Sequence, residues 1–155
     1  MSLTVFLDAG PLGLITNPKK TPVTIAVAQW VFDMEAAGHR FLVPAIADYE
    51  VRRELVRVGK TTGIARLNAF NAAEPDRFLS VTNEALMLGA DLWARARNAG
   101  TATADPKELD GDALIAAQVL EYQEEHQLSF GDIVVATTNV AHLSHFVPAN
   151  LWSKI

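Results

Sequence analysis

Short apolar runs alternate with longer stretches of helical spacing along this chain, and several of the runs end or begin at an acidic residue. Leu3 to Leu7 is rich in β-formers and too short for a helix, so it predicts a buried strand. Asp8-Ala9-Gly10-Pro11 predicts a break after it, and Asn17-Pro18-Lys19-Lys20 a loop. Thr21-Pro22 pairs a capping hydroxyl with a first-turn proline. Val23, Ala26, Val27, Trp30, Val31 and Met34 then recur at helical spacing as far as Gly38. Arg40 to Val43 predicts a second strand ending at Pro44. Ile46 to Val58 reads as a helix stopped by Gly59, and a further helix covers Ile64 to Ala73. Phe78 to Val81 is expected as a third strand. Asn83 is the expected cap of a helix reaching Ala99, with Gly100 as its stop. Residues 101–109, including Pro106, predict a polar loop. Asp110 to Glu125 predicts a helix with Leu114, Ile115, Val119 and Tyr122 on its apolar face. Ile133 to Thr137 is a fourth, β-branched strand, and Phe146-Val147-Pro148 a fifth.

Strands alternating with helices predict an α/β fold around a short, mainly parallel sheet. No repeat, low-complexity tract or linker divides the sequence, so one domain over residues 1–155 is expected. Hydrophobic residues make up 50% and charged residues 20%, which suits a packed core and excludes a disordered chain. Cysteine is absent, which removes disulfides and thiolate metal sites. No basic segment precedes the first apolar run and no uncharged stretch is long enough to span a bilayer, so a cytoplasmic protein without membrane contact is expected. The net charge of -5 argues against bulk attraction to nucleic acid, leaving a local basic patch or a bound cation to make any such contact.

The acids at the edges of the apolar runs are the candidate chemistry. Asp8 ends the first run, Glu50 follows Pro44-Ala45-Ile46-Ala47, and Asp110 and Asp112 open Ala113-Leu114-Ile115-Ala116-Ala117. A carboxylate beside a core loses hydration and repels its neighbours, so it needs a partner. If the fold gathers these four, a hard divalent cation is the natural one. Each also has a plainer reading. Asp8 suits a turn, Glu50 a solvated helix face, Asp110 an N-cap, and Asp112 a first turn favoured by the helix dipole. Arg52, Arg53, Arg57 and Lys60 near Glu50 suit either an RNA backbone or a solvated, ion-paired face. His142 and His145 read as polar loop residues. Gly59-Lys60-Thr61 mimics the end of a phosphate-binding loop, but Glu54 stands where that motif needs glycine.

Taken in order, Phe6-Leu7-Asp8-Ala9, the segment from Pro44 to Leu55, Thr103-Ala104-Asp105, the segment from Leu109 to Gln118 and Val134-Val135-Ala136-Thr137-Thr138-Asn139-Val140 resemble the PIN domain, the small metal-dependent ribonuclease fold of VapC-type bacterial toxins. The resemblance spans nearly the whole chain. It implies a three-layer α/β/α fold and an endoribonuclease using Mg²⁺ or Mn²⁺. Asp8, Glu50 and Asp112 match the family's acids in turn, with Asp110 as an additional site acid. Asp8 and Asp112 are then the direct metal ligands, while Glu50 and Asp110 bind through water or orient the nucleophile. Arg52, Arg53 and Asn139 are expected at the substrate. Asn139 stands where the family often has another acid, so a second metal is expected to bind more weakly. The resemblance further implies an RNA substrate, a small antitoxin partner and a homodimer, with Trp93, Leu151 and Trp152 as possible contacts or core residues. Two other classes remain open: a PIN-like scaffold that binds RNA or protein without cutting, and a phosphatase with Asp8 as nucleophile, which lacks the second aspartate where Gly10 stands.

Overall fold

The computed structural model describes residues 2–100 and 105–155. Its central sheet is built from β1 (Thr4–Leu7), β2 (Arg40–Pro44), β3 (Phe78–Leu79), β4 (Ile133–Ala136) and β5 (Ala149–Asn150) in the order β3-β2-β1-β4-β5, with every pairing parallel. The helices are α1 (Ala9–Thr16), α2 (Pro22–Ala36), α3 (Ala45–Arg57), α4 (Thr61–Ala72), α5 (Asn83–Asn98), α6 (Pro106–Glu125) and the short α7 (Val140–Leu143).

The run at β1 is apolar throughout because both of its faces are covered. Val5, Phe6 and Leu7 are completely buried. Register sorts the layers. Val5 pairs with Phe41 and Phe6 with Leu42, and side chains alternate between faces. Phe41 meets Trp30 of α2, edge to face at 5.0 Å, while Phe6 meets Tyr122 of α6 at 5.6 Å. Helices therefore lie on both sides of the sheet, giving the three-layer α/β/α arrangement of a PIN-like fold. β1 has β2 on one side and β4 on the other, so the strand order reverses at its end. Such a switch point, beyond the carboxyl ends of parallel strands, is where open α/β sheets place their sites.

Several boundaries differ from those read in the sequence, each for a local reason. Asp8-Ala9-Gly10-Pro11 is not a break but the start of α1, because Asp8 caps the helix and Pro11 falls in its first turn, where the missing N–H is harmless. Thr82, not Asn83, caps α5 by accepting from the Ala85 N–H. Helix α6 begins at Pro106, with Asp105 as its cap, so Asp110 lies within the helix rather than at its start. β5 falls at Ala149–Asn150, beyond the expected Phe146-Val147-Pro148, and α7 was not expected. Gly38 and Gly59 end their helices at positive φ, as expected. Thr103 and Ala104 lie outside the described residues. Trp93 and Trp152 pack against the core, Trp152 on Trp30, whereas Leu151 is 38% exposed. Among the described residues no helix is long and apolar enough to cross a membrane.

Candidate functional site

Asp8 follows β1 directly, and its own N–H still bonds to the Ala136 carbonyl of β4 at 3.0 Å. Its Oδ1 accepts from the Ala9 N–H at 2.8 Å, the cap of α1. Its Oδ2 accepts from the Thr137 hydroxyl at 2.7 Å, and Thr137 is fully buried. The turn reading of Asp8 and the site reading thus coexist: the cap fixes the carboxylate, and each oxygen keeps a lone pair free.

Asp112 reaches the same place from α6 and is 6% exposed. Its Oδ2 accepts from Asn139 Nδ2 at 3.1 Å. The Asn139 N–H in turn donates to the Thr137 hydroxyl at 2.8 Å. The loop after β4 therefore ties Asp8 and Asp112 into one hydrogen-bonded chain. Asn139 meets Asp112 through its N–H₂ end, so it acts as a donor to the acid and not as an oxygen ligand beside it. His142 of α7 brings Nδ1 to 3.9 Å from Asp112 Oδ2. Reading it as a polar loop residue missed this, because the helical turn carrying Asn139 and His142 on one face was not foreseen.

Glu50 comes from α3 and lies against Gly111 of α6. A Cβ at Gly111 would sit 2.9 Å from Glu50 Oε1. Asp8, Glu50, Asp110 and Asp112 all line one cleft of about 700 Å³, together with Arg53, Asn139 and Thr138. The four acids singled out in the sequence are thus brought together. Asp110 is the exposed member, on the rim. Lys107 and Glu108 also line the cleft. They were not anticipated, because the segment carrying them was read as loop rather than as the first turn of α6.

Arg52, expected at the substrate, is not part of the cleft lining. Its Nε and Nη2 bond to the two oxygens of Asp48 at 2.8 and 3.1 Å. Asp48 is 6% exposed and takes a third bond from Asn71. Arg52 therefore neutralises a buried carboxylate, while Arg53, one residue on, faces the cleft. Arg57 pairs with Glu54 on the exposed side of α3.

The electrostatics of the cleft are unbalanced. Burial, then the negative charges of Asp8 and Asp112, push Glu50 up to about 6 against the opposing pull of Arg53. Burial and Asp8 push Asp112 up to about 6 as well, against His142 and the Asn139 amide. Both shifts record charge that the protein leaves uncompensated. The donors present are carboxylate oxygens, the set a hard cation takes. Among the described residues no three acidic or histidine side chains converge as a ready-made ligand group. Asp8 and Asp112 are the residues fitted to hold such an ion.

Two expectations follow from this geometry. Between about pH 4 and 6 the folded protein binds more protons than the unfolded chain at Glu50 and Asp112. Their contribution to stability is therefore present at low pH and lost as pH rises through about 6. In EDTA, the melting temperature is expected to fall between about pH 4 and 6, and Asp112→Asn to flatten that fall. A divalent cation at pH 7.5 is expected to restore stability, rising with the logarithm of its concentration above the dissociation constant. A melting profile in EDTA as steep for Asp112→Asn as for the native chain would contradict the assignment. Separately, Gly111→Ala gains about 1 kcal/mol of helix propensity but drives its methyl toward Glu50 Oε1. Stability is expected to hold within about 1 kcal/mol while activity drops by up to about 10²-fold, the cost of an ångström-scale misplacement; parallel melting and cleavage assays check it.

No protein-family model matches the chain, and no curated protein matches it. Solved structures do. A chain of FitAcB from Neisseria gonorrhoeae aligns with a TM-score of 0.65 at 18% identity, covering 97% of this chain and 99% of that one. A chain of VapBC2 from Rickettsia felis, solved bound to a DNA fragment from its promoter, aligns at 0.67 and 12% identity with the same coverage. VapBC from Salmonella typhimurium, also solved with DNA, aligns at 0.58 and 15% identity over 97% of this chain and 98% of that one. At these identities the likeness shows an architecture shared end to end, so what this protein has in common with the FitAB and VapBC structures is its fold.

Proposed function

We propose that this protein is a Mg²⁺- or Mn²⁺-dependent endoribonuclease, the toxin half of a toxin–antitoxin pair. The observation that carries the reading is the lining of one cleft, at the switch point of a parallel sheet, by Asp8, Glu50 and Asp112 from three different elements. The ion, when bound, supplies a counter-charge for the phosphate and for the anionic transition state of phosphodiester hydrolysis. Asp8 and Asp112 would hold it. Thr137 and Asn139 fix the directions of those two carboxylates. Glu50, poised near neutral pH, suits acceptance of a proton from the attacking water. Asp110 orients water from the rim, and Arg53 and Lys107 meet the RNA backbone. Since Asn139 adds no negative charge, the site is proposed to hold one ion firmly and a second only weakly.

The toxin role is supported by the shared fold with the VapBC and FitAB structures and by the sequence resemblance to VapC-type toxins. On this reading, a small antitoxin covers the acidic cleft, and the protein works in the cytoplasm as a homodimer. Incubating the purified protein with structured RNA tests the activity. Cleavage with Mg²⁺ that disappears in EDTA and in Asp112→Asn is expected; cleavage indifferent to both overturns the mechanism. The competing reading, a scaffold that binds RNA without cutting, draws on Asn139 and the net negative charge. RNA binding with no cleavage under any divalent cation would favour it.

A further inference from the structure

The cleft that gathers the acids has a second character. Beside its carboxylates it is lined by Ile46, Tyr49 and Leu114. Tyr49 precedes Glu50 on α3 and lines the cleft while remaining 59% exposed. Arg53, one helical turn on, holds its guanidinium 5.3 Å from the ring centroid. This is a cation–π contact that restrains the ring without burying it.

The charges in the cleft ask for such a surface. Five carboxylates line it against two cations, Arg53 and Lys107, in a chain of net charge -5. Phosphate contacts ordinarily dominate the affinity of a protein for nucleic acid. Here Arg53 and Lys107 are the cations of the lining and are opposed by nearby acids, so a contact that carries no charge has room to add to what they and a bound ion supply. Base stacking on an aromatic ring is such a contact, and only a base outside a duplex offers its face.

We propose that Tyr49, braced by Arg53, is a base-stacking subsite, and that the cleft accepts an unpaired segment of RNA with one base on Tyr49 and the neighbouring phosphate toward Asp8 and Asp112. The assignment rests on the ribonuclease reading for its choice of RNA, and the ring being exposed makes its replacement structurally mild.

The test uses the full chain carrying Asp112→Asn, which blocks metal binding and cleavage together, with a single-stranded RNA containing 2-aminopurine. Stacking quenches that base. Quenching is expected with Tyr49 and with Tyr49→Trp, and lost in Tyr49→Leu and Tyr49→Ala, with affinity falling between about 5-fold and 100-fold. In the cleavage-competent protein, Tyr49→Ala is expected to raise KM more than it lowers kcat. The logarithmic salt dependence of binding is expected to have a slope of about -1.4, the value for two phosphate contacts on a single strand. A perfect duplex of the same sequence is expected to bind more weakly. Equal affinity for Tyr49→Leu and the native ring, duplex binding as tight as single-strand binding, or a slope steeper than about -3 would each overturn the subsite. If the native protein binds and quenches the RNA but never cleaves it, the nuclease reading fails while the stacking site stands. Cleavage that is insensitive to Tyr49 gives the converse.

Discussion

Asp8→Asn is expected to lower kcat/KM for RNA cleavage by about 10³-fold, the equivalent of several kcal/mol of lost electrostatic stabilisation, while the protein melts no lower than the native chain at pH 7.5. The two halves of this result have separate causes. Asparagine keeps an acceptor oxygen for the Ala9 N–H and is as good an N-cap as aspartate, so α1 should survive. What is removed is the negative charge, together with the acceptor that Oδ2 gives the buried Thr137 hydroxyl, a loss offset by the relief of repulsion. After burial, the charge of Asp8 is what pushes Glu50 and Asp112 up most, so its neutralisation relieves repulsion among groups the fold has partly buried. The same charge is needed to hold a cation. A residue whose removal stabilises the protein and silences it is a functional residue, because selection for stability alone would have replaced it. Steady-state cleavage and thermal melting, measured on the same preparations, check both halves. A rate within tenfold of the native protein would remove Asp8 from the metal site.

Phe6→Ala is expected to cost about 3–5 kcal/mol of unfolding free energy and, at this chain length, about 10 °C of melting temperature. Phe6 is fully buried in the central strand and packs its edge on Tyr122 of α6. A cavity there loosens the contact between the strand that ends in Asp8 and the helix that carries Asp112. The loss is therefore expected to show in catalysis as well as stability, even below the melting transition. Phe32 is the matching control: it is 69% exposed on α2, so Phe32→Ala should lie within about 0.5 kcal/mol of the native chain. Denaturant unfolding of both variants decides it. Equal midpoints would mean that β1 is not the core strand described.

The sheet was legible because buried parallel strands write themselves as uninterrupted apolar runs, and the runs at β1, β2 and β4 stand clear of their neighbours. β3 falls inside its expected run Phe78 to Val81 but is only two residues long, whereas the two-residue β5 came out displaced from its expected run. The acids were legible for a related reason: a charge at the edge of a core run is conspicuous in one dimension. Their partners were not. Thr137 reads as one more β-branched residue of its strand, and nothing in sequence order connects its hydroxyl with Asp8, 129 positions away. Arg52 and Arg53 are adjacent and chemically alike; only the helical phase of α3 turns one toward Asp48 and the other toward the cleft. Lys107 and Glu108 were lost with the boundary of α6, since Asp105-Pro106 is as good a helix start as a loop signal, and the polar residues before it favoured the loop. Asn139 shows the limit of residue type alone. An amide can offer either end, and its amino end faces Asp112.

The central claim is that Asp8 and Asp112 form a divalent-cation site at the carboxyl end of β1. Calorimetric titration of Mn²⁺ into the protein at pH 7.5 tests it most directly, because it reads binding without requiring the right RNA. One firm equivalent of bound metal is expected, lost in Asp8→Asn and in Asp112→Asn and retained in Arg52→Gln. No binding at millimolar metal, or binding that survives both aspartate substitutions, would contradict the site.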